Sequence, residues 1–365
     1  MRGTERDVGD TNATERSHAA GKSAWIGSIN RIVVTSGALA RCGDELAMTG
    51  CTSNPTSFGL AVAASHDYDV TLRRDLDEGL TDIQDSCLRR HTRRPQRSRF
   101  ALPASLGGDL RRRRLSVGRG AARSRLRRAG LVRRVHDQAG YSNLLVKIPI
   151  APRGLAAMEE KVVAGIGANV MLLFSDAQYL QTAEAYLRTA ERRLAARQDL
   201  EVTAVASMFM PRWEKAAAPL LPAHERSTLG LAMAKKACAF YRTLLSGRRW
   251  ANLAAAGAHP QRLLWASTST KDPGLPHDHY GTNLLVPGTV DTVPEETLRA
   301  YTDHGGFARP LEACYAGAEA QVAAVATGSV DVDVLGESLQ RQGVKAFSAD
   351  WVALVEAIGA KVAGG

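Results

Sequence analysis

Aromatic residues make up only 5% of this 365-residue chain, and its five cysteines show no C-x-x-C spacing. Cys42, Cys51, Cys87, Cys238 and Cys314 are scattered and odd in number. That pattern argues against a disulfide framework and against a cysteine zinc site, and leaves a reducing cytoplasm as the expected setting. No run of about 18 apolar residues occurs, which excludes a transmembrane helix on hydropathy. The opening stretch MRGTERDVGDTNATERS has no apolar core of the kind a secretory signal needs, so none is expected. No G-x-x-x-x-G-K-[ST] phosphate loop is present, and no G-x-G-x-x-G follows the first apolar run. Two further gaps are local. No lysine lies between Lys22 and Lys147, and no glutamate between Glu78 and Glu159.

Positive charge is abundant but confined. The net charge is +10, yet residues 89–134 hold 17 of the 47 basic residues, all arginine, against the single acid Asp109. The rest of the chain carries 30 basic and 36 acidic residues and is therefore mildly acidic. Arginine clusters neutralise phosphates, and Arg111–Arg114 is a run of four. The block contains one aromatic, Phe100, so base stacking has little to use, and no nucleic-acid-binding motif accompanies it. Nucleic-acid binding is thus the lesser of the alternatives.

Residues 1–22 are polar and without apolar period, which predicts a disordered tail. From Ser23 on, short apolar runs alternate with amphipathic stretches in one unit reaching residue 365. The runs fall at 45–53, 143–150, 168–175, 201–210, 261–269 and, more weakly, 284–293. They are rich in Val, Leu, Ile and Met without strict polar alternation, as expected of strands buried on both faces. Between them, 181–197 places Ala183, Leu187, Ala190 and Leu194 on one helical face, and 227–245 repeats the pattern with Leu229, Met233, Ala237, Phe240 and Leu244. A shorter helix over 158–164 is predicted after a turn at Pro152-Arg153-Gly154. Alternating strand and helix means a parallel sheet. Lacking a phosphate loop, the chain fits a (β/α)8 barrel better than a doubly wound sheet. A barrel places its chemistry at the C-terminal ends of its strands.

One of those ends carries Lys147, between Val146 and Ile148. Burial among apolar neighbours disfavours the ammonium and lowers its pKa. A neutral amine attacks ketones to give Schiff bases. The residues alone leave a second reading open, a lysine whose head reaches solvent from a strand end.

Five segments carry a resemblance to the transaldolase family of Schiff-base-forming (β/α)8 barrels. They are Thr52-Ser53-Asn54-Pro55-Thr56, Asn143 to Pro149 around Lys147, Asn169 to Ser175, Ala206 to Arg212, and Trp265 to Pro273. Their order and spacing resemble the family's over 23–80 and 141–360. The resemblance implies transfer of a dihydroxyacetone unit between sugar phosphates in the pentose phosphate pathway. Sedoheptulose 7-phosphate or fructose 6-phosphate would be donor, and glyceraldehyde 3-phosphate or erythrose 4-phosphate acceptor. It implies no metal or organic cofactor. By the same resemblance Lys147 forms the imine, Asn54, Asn169 and Ser207 hold the dihydroxyacetone moiety, and Arg212, Ser267 and Lys271 bind phosphate. For Arg212 a surface arginine at a helix start is the competing reading. His277-Asp278-His279 is read as a loop, not as a metal site.

The chain also departs from the family. Gly27 stands where the family has an acid/base aspartate, and Met171 where it has a threonine. The segment 88–140 replaces the family's third strand and its glutamate, so a disrupted third strand and a catalytically impaired relative are the alternative expectation. Asn54 and Lys147 are still separated as in the family. Equal length with foreign content points to a segment read out of frame and then restored, or to a replaced one.

Overall fold

In a computed structural model the described residues are 12–27, 36, 38–52, 99–103, 144–150, 152–269, 279–284, 286–304 and 330–363, with isolated positions at 59–69, 275–276 and 320–323. Eight strands close a barrel in sequence order, each parallel to the next, with the eighth pairing the first. They are β1 (Ser23–Ile26), β2 (Met48–Thr52), β3 (Arg99–Pro103), β4 (Leu144–Pro149), β5 (Gly167–Leu173), β6 (Ala204–Phe209), β7 (Arg262–Ala266) and β8 (Val290–Val293). The described helices are α1 (Ala13–Ala19), α2 (Ala38–Glu45), α3 (Pro152–Val163), α4 (Asp176–Ala195), α5 (Pro211–Ala217), α6 (Ala223–Ser246), α7 (Arg248–Ala255), α8 (His279–Asn283), α9 (Glu295–His304) and α10 (Val332–Ala363). The fold expected from the sequence is the one observed. Among the described residues no helix is long and apolar enough to cross a membrane.

Burial explains why the strands read as unbroken apolar runs. Every residue of β5 and β6 is buried, because side chains face either the barrel interior or the helix layer. The start of β5 requires glycine for space. A Cβ on Gly167 would meet Leu145 Cδ2 at 2.6 Å and Leu144 O at 3.0 Å. The turn from β5 into α4 is set by Ser175, whose hydroxyl accepts from the Gln178 amide while Gln178 Oε1 accepts from the amides of Phe174 and Ser175.

In the third place of the barrel, Arg99–Pro103, inside the basic block, aligns Gly50 with Arg99 on one side and Pro103 with Lys147 on the other. The remainder of 88–140 up to Leu144 lies outside the described residues. Three other expectations need correction. Within 1–22, residues 13–19 form α1 instead of a tail. Its Asn12 cap bonds Glu15 reciprocally, and its Thr14 hydroxyl lies 3.4 Å from that of Thr302 on α9. Residues 1–11 are outside the described set. Pro152 opens α3 instead of forming a turn before it, since the first helical position needs no N–H donor. Leu194 is 42% exposed, because in the last turn of α4 the covered position is that of Arg193, which continues the buried face of Tyr186, Thr189 and Ala190.

Helix α10 reaches the C-terminal side of the barrel. Two glycines let it approach closely. A Cβ on Gly336 would touch the Trp213 ring at 3.4 Å, and one on Gly343 would meet Leu172 Cδ2 at 2.9 Å and Arg212 Nη1 at 3.2 Å.

Candidate active site

Register brings the polar strand residues together. Lys147 on β4 aligns with Asn169 on β5, and Ser207 on β6 donates a buried 2.6 Å hydrogen bond to Asn169 Oδ1. Asn169 and Ser207 are 1% and 2% exposed, so this bond fixes the amide plane beside the lysine. All three residues line a cavity of about 250 Å³ at the C-terminal ends of the strands. Thr52, Thr292, Ser267 and Ser269 add hydroxyls, and Met171, Phe209 and Phe347 supply apolar walls.

Lys147 is half-buried, with the cavity on one side and strand neighbours on the others. Loss of hydration lowers its pKa from 10.5 to about 7. About half of such amines are neutral at pH 7, against roughly one in a thousand or fewer for an ordinary lysine. The chemistry available is nucleophilic attack by nitrogen on a carbonyl.

Two residues at or next to the cavity lining have left-handed backbone. Leu172 has φ 68° where the β5–β6 register breaks between Val170 and Leu173. Ser267, directly after β7, has φ 60° and lies on the cavity rim. Left-handed conformations at non-glycine residues each cost on the order of 1–3 kcal/mol and persist only where surrounding contacts enforce them.

Arg212 stands beside the cavity without lining it. Its guanidinium carbon sits 5.6 Å from the ring centre of Phe209, which does line it. Burial lowers the Arg212 pKa, and nearby Asp350 opposes that shift. Tyr280 of α8 donates to Glu214 of α5, which ties down the short helix carrying Arg212. The structure thus gathers Lys147, Asn169, Ser207 and Ser267 into one cavity and sets Arg212 at its flank. Asn54, Lys271, His277 and Asp278 lie outside the described residues. Thr292 and Phe347 were missed from sequence. Thr292 ends the weakest apolar run and could have been found by applying the strand-end rule there. Phe347 arrives on a helix that no motif marks.

Gly27 borders the same cavity. The described residues lining it include no aspartate or glutamate. Nor, among the described residues, do three His, Cys, Asp or Glu side chains gather in a way that would hold a metal ion.

A closed parallel barrel with a cavity of polar side chains at the C-terminal ends of its strands is the architecture of a (β/α)8 barrel enzyme. Comparison with known proteins narrows the class. The family model described as transaldolase/fructose-6-phosphate aldolase matches residues 129–358. The chain is 36% identical over 361 residues to a transaldolase of Parafrankia sp. (strain EAN1pec), covering 93% of this chain and 95% of that one. It is 36% identical over 355 residues to a transaldolase of Acidothermus cellulolyticus, with 93% and 94% covered. A transaldolase of Thermobifida fusca is 35% identical over 358 residues, with 94% and 96% covered. The chain belongs to the transaldolase/fructose-6-phosphate aldolase family, and is an enzyme of the transferase class.

Proposed function

We propose that this protein transfers a dihydroxyacetone unit from sedoheptulose 7-phosphate or fructose 6-phosphate to an aldose phosphate through an imine on Lys147. The observation that carries this reading is the Lys147 amine, with a pKa of about 7, beside the buried Asn169–Ser207 pair. The neutral amine adds to the C2 ketone, and loss of water leaves a protonated imine. Cleavage of C3–C4 sends its electron pair into that imine, giving an enamine and releasing an aldose phosphate. Addition to the acceptor aldehyde and hydrolysis return the amine. The iminium nitrogen is the electron sink, so the reading assigns no cofactor. Asn169 and Ser207 hold the three-carbon hydroxyls, joined by Asn54. Arg212, Ser267 and Lys271 take the phosphate. The reading places the reaction in the pentose phosphate pathway, in a reducing cytoplasm where the buried thiols of Cys42, Cys51 and Cys238 persist. It gives the arginine-rich segment no specific nucleic-acid site.

A second reading, a relative that forms the imine but cleaves slowly, is favoured by Gly27 and by the lack of a carboxylate among the described lining residues. Borohydride reduction with fructose 6-phosphate separates the two. Mass spectrometry should find a three-carbon adduct on Lys147 under the first reading, and a phosphorylated six-carbon adduct under the second. An adduct elsewhere, or none on folded protein, would overturn both.

The phosphate assignment makes its own prediction. Arg212→Ala should raise the KM for fructose 6-phosphate by roughly 10- to 100-fold, since a charge-assisted hydrogen bond contributes about 1.5–3 kcal/mol. The KM for unphosphorylated fructose should hardly change. Equal rises for both sugars would make Arg212 a packing residue on Phe209.

A further inference from the structure

Outside the barrel wall, beneath the Ser267 rim, lies a buried charge pair that the reaction itself does not use. Lys22 Nζ is 2.9 Å from Asp291 Oδ2, and both side chains are 4% exposed. The other oxygen, Asp291 Oδ1, accepts from the Thr268 hydroxyl at 2.7 Å. Thr268 is fully buried, whereas its neighbours Ser267 and Ser269 both line the cavity. The same hydroxyl lies 3.1 Å from Thr292 O. Lys22 also donates to Gly281 O at 2.9 Å and sits 6.0 Å from the Tyr301 ring centre.

A buried ion pair adds little net stability, because desolvating both charges offsets their attraction. Its lasting effect is registry, and here the group it registers is Thr268. Ser267 is held at φ 60°, a conformation that relaxes unless neighbouring contacts enforce it. Lys22 orients the Asp291 carboxylate, the carboxylate fixes Thr268, and Thr268 holds the strained turn that presents Ser267 and Ser269 to the cavity.

We infer that Lys22, Asp291 and Thr268 are positioning residues that preset the Ser267–Ser269 rim for the phosphate end of the substrate. The inference rests on the reading above in which Ser267 meets that phosphate. None of the three touches substrate.

Calorimetric titration of the full chain with fructose 6-phosphate, and separately with fructose, tests it. Thr268→Val should weaken fructose 6-phosphate binding roughly tenfold, the size of one lost hydrogen bond. Fructose binding and the Lys147 trapping rate at saturating sugar phosphate should stay unchanged. Thr268→Ser, which keeps the hydroxyl, should restore wild-type affinity. Lys22→Met should act in the same direction as Thr268→Val. Ser267→Ala distinguishes the two levels of the argument. If it weakens fructose 6-phosphate binding while Thr268→Val and Lys22→Met do not, the positioning role is overturned and the reading of the rim stands. If Ser267→Ala has no effect, the reading of the rim fails and the inference with it. Equal losses for fructose and its phosphate would show a general packing role and overturn the inference.

Discussion

Lys147→Met is expected to abolish borohydride trapping and, at the same time, to raise the melting temperature by several degrees at pH 7. The sign follows from linkage. The unfolded chain binds the lysine proton up to the ordinary pKa of 10.5, whereas the folded chain releases it at about 7. Between those values the unfolded state carries more protons, so stability rises with pH across the window. Above 10.5 the lysine is neutral in both states and costs nothing on this account. At pH 7 and below, the destabilisation is nearly complete, at most about 5 kcal/mol from the size of the shift. Methionine keeps the chain length and removes the charge. The melting-temperature gap between variant and wild type should therefore be wide at pH 7 and below and close as pH approaches 10.5. A gap that does not vary with pH, or a variant less stable at pH 7, would show that Lys147 is well solvated or stably paired as an ammonium. Its poise for imine formation would then be lost from the argument.

That cost falls where the proposed imine chemistry needs it. A strand filled by Leu144, Leu145, Val146 and Ile148 would gain stability from one more apolar residue, and carries an amine instead.

The same contrast made Lys147 legible in the sequence, since one lysine interrupting an apolar run stands out without any partner. Asn169 and Ser207 were legible through family-like segments, but their hydrogen bond depends on β5–β6 register, which no single-strand pattern encodes. The strands at 144–149, 167–173 and 204–209 were readable because both faces are covered and each run is almost wholly apolar. Arg99–Pro103 was hidden because the surrounding arginines dominated the reading of 88–140, although a strand of five residues needs little apolar content to pair at both edges. Helix α1 was hidden for another reason. It is short and polar, and its stability comes from the Asn12–Glu15 cap and from docking on α9. Backbone strain at Leu172 and Ser267 leaves no mark on a one-dimensional pattern, because neither residue type favours positive φ. Phe347 reaches the cavity only through the path of α10, which depends on the close approach of Gly336 and Gly343.

Gly27→Asp carries the second large effect, and it separates imine formation from carbon–carbon cleavage. Cleavage requires a base for the proton of the C4 hydroxyl, and the described cavity lining offers only hydroxyls, amides and the lysine. The position accepts a side chain. A Cβ built on Gly27 meets Val293 O at 3.5 Å and Val293 C at 3.7 Å, both ordinary contacts, and the Gly27 amide bond to Val293 O at 2.8 Å is untouched. General-base catalysis contributes typically about 10²–10⁴-fold, so single-turnover release of glyceraldehyde 3-phosphate from fructose 6-phosphate should accelerate by that order. Overall turnover should gain less, since the resemblance also implies a third-strand glutamate that positions the reacting water, and no glutamate lies between Glu78 and Glu159. Giving β3 a family-like sequence with that glutamate, together with Gly27→Asp, should therefore exceed the single change. The new carboxylate also faces the lysine cavity, and a nearby negative charge favours the ammonium. The pH at which trapping reaches half its maximum should consequently move upward from about 7, which reports the aspartate's presence independently of rate. Faster cleavage with an upward-shifted trapping profile is the expected pair of results. A shifted profile with unchanged cleavage would mean that another group already moves the C4 proton, and that the wild-type chain turns over as its relatives do.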